Sequence, residues 1–169
     1  MIRHLLASER IAVPWKNGGG VTREVAVCPQ GADMDTFLWR VSMAEVTEAG
    51  PFSCFEGIDR HLTVLRGSLQ LNLAGKRLRL NPLDSLAFAG DVPVLGAPIE
   101  GPVTDLNIMV RRGQVRAQTR QVFGPVKTDA PTALLIDLAT LDAILIEQEG
   151  YVRDPSPSIL IEFYSATAS

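Results

Sequence analysis

Apolar and polar residues alternate with a period of two along most of the chain. The stretches "FLWRVSMAEV", "SLQLNLAGKRLRL" and "DAILIEQEGYVRD" each keep this alternation between turn residues, as half-buried strands do. Phe37, Trp39, Val41 and Met43 share one face of the first, and Leu69, Leu71 and Leu73 one face of the second. Ala74 and Gly75 then turn the chain, and Leu78 and Leu80 resume the apolar face, which predicts a hairpin. Fourteen glycines and eleven prolines punctuate the sequence at short intervals, in "GPFS", "NPLD", "AGDVP", "GAPIEGP" and "FGPVKTDAP". That spacing belongs to β-sandwiches and barrels. "TALLIDLATLDAILIE" has enough apolar residues for a helix, but Thr140 and Asp142 interrupt it, and it reads as two strands around a turn.

A faint internal repeat runs alongside. "RLNPLDSLAF" (79 to 88) resembles "VRDPSPSILI" (152 to 161) at an offset of 73 residues, which also sets Leu65 on Leu138, Leu71 on Ile144 and Leu73 on Ile146. The expected class is therefore all-β, with a duplicated β unit.

Composition narrows the functional classes. With 46% apolar residues in 169, the chain can bury a real core, as one large domain or two small related units. A net charge of -3, a pI near 5.4 and no run of Lys or Arg argue against nucleic acid and against an anionic membrane as partners. An anionic ligand must then be small and met by local charges. No apolar run approaches the ~20 residues of a membrane helix, and "MIRHLLASERIAVPW" lacks a signal peptide's apolar core and cleavage site, so the expected location is the cytoplasm. Cys28 and Cys54 lack metal-type spacing and are expected as buried, unbonded thiols.

"LTVLRGSLQLNLAGKRLRLNPLDSLAFAGDVPV" resembles the central block of the cupins: a strand ending in leucine, x and glycine, a hairpin, a proline-x-aspartate-serine turn, and a glycine before the next strand. In metal-binding cupins two histidines and a glutamate precede the first glycine and a third histidine follows the later one. Here the glutamate position holds Arg60, the His-x-His region falls in "SCFE", and the last histidine position lies near Val94. The chain has only His4 and His61, whereas a metal needs three or four converging ligands, so no metal or other cofactor is expected. A guanidinium in place of a carboxylate converts a cation site into an anion site, and Arg60 can grip a carboxylate through two parallel hydrogen bonds. The ordinary alternative is a surface arginine at a strand start.

Three blocks together, "PWKNGGGVTRE", "FLWRVSMAEVTEAGPFSCFEGIDRHLTVLRG" and "FAGDVPVLGAPIEGPVTDLNIMVRRG", resemble the HutD/Ves family. The resemblance implies a cupin-type double-stranded β-helix (jelly roll) in a compact bicupin, with a main unit at 1–113 and a shorter β unit at 114–169. It also implies a link to bacterial histidine utilisation, in which the family binds a small intermediate and limits the pathway's output; it implies no enzymatic activity.

Several polar groups are candidates beside Arg60. In "VPWKNGGGVTRE" the glycines can reach positive φ and bring backbone N–H groups close to a ligand oxygen, with Lys16 adding charge and Asn17 hydrogen bonds. The order is wrong for a nucleotide loop, since Lys16 precedes the glycines and Arg23 replaces the third glycine of G-x-G-x-x-G. The alternative is a plain turn with a surface lysine. Arg40 and Ser42 share the polar face of their strand. If that face is outside, Arg40 is solvated; if it looks into a barrel mouth, Arg40 and Arg60 form a two-cation clamp. Alternation favours the first, the family resemblance the second. Ser53, among Phe52 and Phe55, can donate to a ligand oxygen but has no evident base and is not a nucleophile; both phenylalanines are assigned to structure. Asp105, Asn107 and Met109 share one face of "TDLNIMVRRG", where Asp105 must meet water or a cation, while Arg111 and Arg112 are expected as solvated charges.

The resulting expectation is a metal-free binding protein for a small carboxylate of the urocanate or formylglutamate class, with no catalytic residue assigned. Its ligand-binding set is Lys16, Asn17, Glu24, Arg40, Ser53, Arg60, Asp105, Asn107 and Met109. The competing expectation is a metal-independent isomerase or hydrolase with Glu24 or Asp105 as general base. A third is a scaffold whose apolar second unit forms a homodimer.

Overall fold

The structure, a computed structural model, describes residues 1–153 and 155–166. Its described residues form fifteen strands and one 3-10 turn at Ala7–Glu9. None of its helices is long and apolar enough to cross a membrane. The chain divides into two compact units, one of Ile11–Arg112 and one joining Met1–Arg10 to the segment from Gly113 onward.

The second of these begins with β1 (Ile2–Leu5). The larger unit then runs through β2 (Ala12–Pro14), β3 (Gly20–Cys28), β4 (Trp39–Val46), β5 (Gly50–Pro51), β6 (Ile58–Leu73), β7 (Lys76–Leu80), β8 (Ser85–Ala89) and β9 (Val94–Arg111). They form one eight-stranded sheet in the order β2-β3-β4-β9-β6-β7, with β5 paired to β9 and β8 to β6. The long β6 and β9 pair antiparallel from Ile58 opposite Arg111 to Leu73 opposite Val94. That ladder slips on both sides of Arg66, and Gly67 is what lets it do so. Gly67 has φ +80°, and a Cβ there would stand 2.6 Å from the Pro102 carbonyl, so the glycine of the cupin-like block is required by backbone approach.

The hairpin expected from alternation is β6 and β7, with Leu69 opposite Leu80 and Leu71 opposite Leu78. Ala74 and Gly75 turn it at φ 50° and 77°. Leu62, Val64, Leu69, Leu71 and Val103 are fully buried in one apolar cluster, against which Trp15 packs; Trp15 also meets Phe52 edge to face at 5.8 Å. Arg111 and Arg112 are not free charges. Arg111 Nη2 donates to the Phe37 carbonyl at 2.8 Å, and Arg112 bridges Asp59 and Asp91 at 2.8 and 2.9 Å. These contacts hold Asp91 below the ordinary carboxylate range. Cys54 is exposed and Cys28 half-buried, because Cys54 lies on the loop before β6 and not on an inward strand position.

The other unit continues with β10 (Val115–Val122), β11 (Val126–Thr128), β12 (Thr132–Asp137), β13 (Ala143–Glu147), β14 (Gly150–Val152) and β15 (Ser158–Ser165). Five strands pair in the order β1-β13-β12-β15-β10, while β11 pairs with β14. Residues 1–10, which the sequence reading groups with the main unit, instead supply β1 as the strand beside β13, with His4 opposite Ile144. Arg10 Nη2 fastens this segment by donating to the Leu141 carbonyl at 2.6 Å.

The 73-residue offset has a partial counterpart. It carries Ser85, the first residue of β8, onto Ser158, the first of β15, and Asp59 to Thr63 onto β12; β6 pairs with β8 much as β12 pairs with β15. Asp154, set against Asn81 by the offset, lies outside the described residues. The correspondence stops where β6 runs straight on, because residues 132–147 fold back as β12 and β13. Asp137 Oδ1 accepts from the N–H groups of Ala139 and Thr140 at 2.7 and 3.0 Å, closing that turn.

Candidate functional site

The residues of interest meet on one face of the larger sheet because register stacks them in rows. Arg40 and Arg60 both stand opposite Met109, Ser42 and Leu62 opposite Asn107, and Ala44 and Val64 opposite Asp105. Alternation puts all nine on the same face. This face lines a cavity of about 720 Å³, closed on other sides by the Trp15–Asn17 loop and by Phe52, Ser53 and Phe55. Eight of the nine expected ligand-binding residues border it: Lys16, Asn17, Arg40, Ser53, Arg60, Asp105, Asn107 and Met109. Glu24 is not among the lining residues. It stands exposed beside the cavity and receives Arg40 Nε at 2.9 Å.

Arg60 is the principal cation of the wall and is only 6% exposed. Its guanidinium carbon lies 5.3 Å from the Phe55 ring centroid and 5.2 Å from that of Phe88, its neighbour on β8. Nη1 donates to the Ser53 carbonyl at 3.1 Å and Nε to Asn107 Oδ1 at 3.4 Å. Nη2 makes no hydrogen bond to a described residue. Burial lowers the Arg60 pKa to about 10, against the opposing pull of Asp105 and Cys54, so it stays charged at neutral pH. A buried cation with a free donor edge is a receptor for an anion.

Three expectations change at this point. Arg40 and Arg60 are not two free cations, since Glu24 neutralises Arg40. Ser53 accepts from Arg60 through its backbone carbonyl, a contact the hydroxyl reading did not include. Two of the three glycine N–H groups are engaged within the loop: Gly18 N–H donates to the Trp15 carbonyl at 3.0 Å and Gly19 N–H to Asn17 Oδ1 at 2.9 Å. Gly18 is needed for its φ of +76°, and Gly20 because a Cβ would stand 2.7 Å from the Glu45 carbonyl and 3.0 Å from the Trp15 ring. The glycines therefore seat Trp15 and Asn17 on the cavity edge. Lys16 is exposed there without a carboxylate partner among the described residues.

Asp105 is 2% exposed. Burial raises its pKa to about 7, against the opposing influence of Arg60 and of the Ala44 backbone N–H. The next residue after Arg60, His61, occupies the opposite face, and burial lowers its pKa. Among the described residues no three His, Cys, Asp or Glu side chains converge as metal ligands. Arg60, which the cupin resemblance sets at the glutamate position, offers a guanidinium, and Val94, near the expected last histidine position, is apolar and buried. This donor set does not fit a metal ion.

Sequence reasoning missed the aromatic clamp on Arg60. Phe55 stood in a segment assigned to structure, and Phe88 carries no local signal, since only the pairing of β8 with β6 sets it opposite Arg60. Thr22 and Met34 also border the cavity unforeseen.

Comparison with known proteins extends the picture. The HutD family model matches residues 7–150. A Pseudomonas putida protein described as an uncharacterized 21.2 kDa protein in the hutC 3′ region is 36% identical over 135 residues, covering 78% of this chain and 70% of its own. Protein Ves of Citrobacter koseri is 39% identical over 110 residues, 63% of this chain and 56% of that protein. The solved structure of HutD from Pseudomonas fluorescens SBW25, in a formate condition, superposes with a TM-score of 0.89 at 29% identity, covering 98% and 99% of the two chains.

Proposed function

Because this chain belongs to the HutD family and has its cupin-like all-β fold, we propose that the cavity of its larger unit binds a small carboxylate without a metal. The observation that carries this reading is Arg60: a buried guanidinium in the cavity wall, packed against two phenylalanine rings, with no hydrogen bond from Nη2 to a described residue. Its guanidinium is fixed before any ligand arrives, so little side-chain entropy is lost on binding. Lys16 at the rim draws an anion in, and Asn107 and Ser42 sort its remaining polar groups.

The hutC-region name of the Pseudomonas putida relative supports a role in histidine utilisation. On this reading the protein is a cytoplasmic sensor or sequestering agent for an intermediate of the urocanate or formylglutamate class, and limits the pathway by holding it. Calorimetric titration with urocanate and with N-formylglutamate, in wild type and Arg60→Ala, tests it: one of them binds the wild type and loses affinity in the variant. Unchanged affinity removes Arg60 from the site.

One observation favours a second reading. A carboxyl with a pKa raised to about 7 inside a cavity is suited to proton transfer, which makes Asp105 a candidate general base. Consumption of either compound by chelator-treated protein decides for turnover over simple binding.

A further inference from the structure

We propose that Asp105 selects among carboxylates, admitting those that also carry an N–H or O–H donor about one strand row away from the group held by Arg60. This rests on the reading that Arg60 holds the carboxylate, and adds to it a second, opposite requirement.

Along β9, Met109, Asn107 and Asp105 mark three successive rows on the cavity face, roughly 6–7 Å apart. Arg60 stands in the Met109 row, two rows from Asp105, and its Nε donates to Asn107 Oδ1 of the row between them at 3.4 Å. A carboxylate held by Arg60 on the Asn107 side has Asp105 in the row beyond it. Its cross-strand neighbours there are Ala44 and Val64, whose side chains offer no hydrogen bond. Within the wall, the Ala44 N–H is the donor that favours ionised Asp105. A carboxylate has about four lone-pair positions, so most of this buried acceptor's capacity is left to a guest. A guest that brings a donor satisfies it; one that brings only lone pairs sets two acceptors against each other.

The charged groups around Asp105 are few. Arg60 faces it from β6, with Cys54 close to that arginine. From β4 comes Arg40, neutralised by Glu24 of β3, and from the loop before β3 comes Lys16. The donor requirement should thus follow the ionisation of Asp105 and strengthen as pH rises through about 7.

The test uses pentanoate, 5-hydroxypentanoate and 5-methoxypentanoate, titrated calorimetrically at pH 6 and pH 8.5. Wild type should bind the hydroxy acid at least ~10-fold more tightly than the methoxy acid at pH 8.5, with a smaller ratio at pH 6. Asp105→Asn, which offers a donor as well as an acceptor, should shrink the ratio at both pH values. Equal binding of hydroxy and methoxy acids by wild type at pH 8.5, or a preference that survives Asp105→Asn, overturns the role of Asp105 while leaving Arg60's intact. Failure of all three to bind overturns the carboxylate reading itself and this proposal with it. The wild-type comparison decides even if the variant is unstable.

Discussion

Arg60 and Asp105 are both buried in the wall of one cavity, on paired strands and in each other's electrostatic influence, yet they form no ion pair with one another. Closed together, they would fill the space with their own salt bridge. Held apart by register and by the Phe55 and Phe88 rings, they leave a cation edge and a carboxyl facing a shared volume.

Arg60 gives the first expectation. Charge-assisted hydrogen bonds contribute about 1.5–3 kcal/mol each, so Arg60→Ala should weaken carboxylate binding at least ~10-fold by calorimetry. Arg60→Lys keeps the charge but loses the planar fork and its fit between the rings, and should recover only part of the loss. Full recovery with lysine would show that charge alone matters.

Asp105 sets a pH dependence of stability. Its folded pKa of about 7 lies above the ordinary 3.8, so the folded state holds its proton more tightly than the unfolded chain. The associated stability is fully present below about pH 4 and is lost as pH rises towards 7, up to about 4 kcal/mol at 1.36 kcal/mol per pH unit. Asp105→Asn should flatten that part of the profile in denaturant unfolding at several pH values. Parallel wild-type and variant profiles would contradict it.

The glycine loop separates conformational from steric demand. Gly18→Ala meets nothing within 4 Å but is held at φ +76°, and should cost about 1 kcal/mol. Gly20→Ala pushes a methyl against the Glu45 carbonyl and the Trp15 ring, and should cost about 2–3 kcal/mol and shift Trp15 fluorescence. Equal costs in thermal melts would refute this distinction.

Lys16 should act at long range. Exposed at the cavity edge, it is expected to speed association, so Lys16→Ala should slow binding about 2–3-fold at low salt and hardly at all near 0.5 M salt. Stopped-flow measurement at two ionic strengths checks it, and a loss independent of salt would place Lys16 in direct contact with the ligand.

Alternation and turn chemistry act over a few residues, and so the amino-acid pattern was enough for β4, the β6–β7 hairpin, the β12–β13 turn and the two faces of those strands. It also placed Arg60 where a metal-binding cupin has a carboxylate, and so pointed to an anion. It did not determine which faces meet. Alternation alone puts Arg40 and Ser42 on the polar face of their strand and leaves open where that face looks; the pairing of β4 with β9 sets it beside Asn107 and Met109 on the cavity wall. The clamp on Arg60 depends on Phe88, brought opposite by β8, and Arg40's charge on Glu24, brought near across the β3–β4 pairing with its bulge. Register is set between segments far apart in sequence, and burial changes a group's charge preference only once its neighbours are in place. Only the folded chain pairs Arg40 with a carboxylate and leaves Arg60 without one among the described residues, and sets Asp105 two rows along β9 from the Arg60 row, raised towards neutrality.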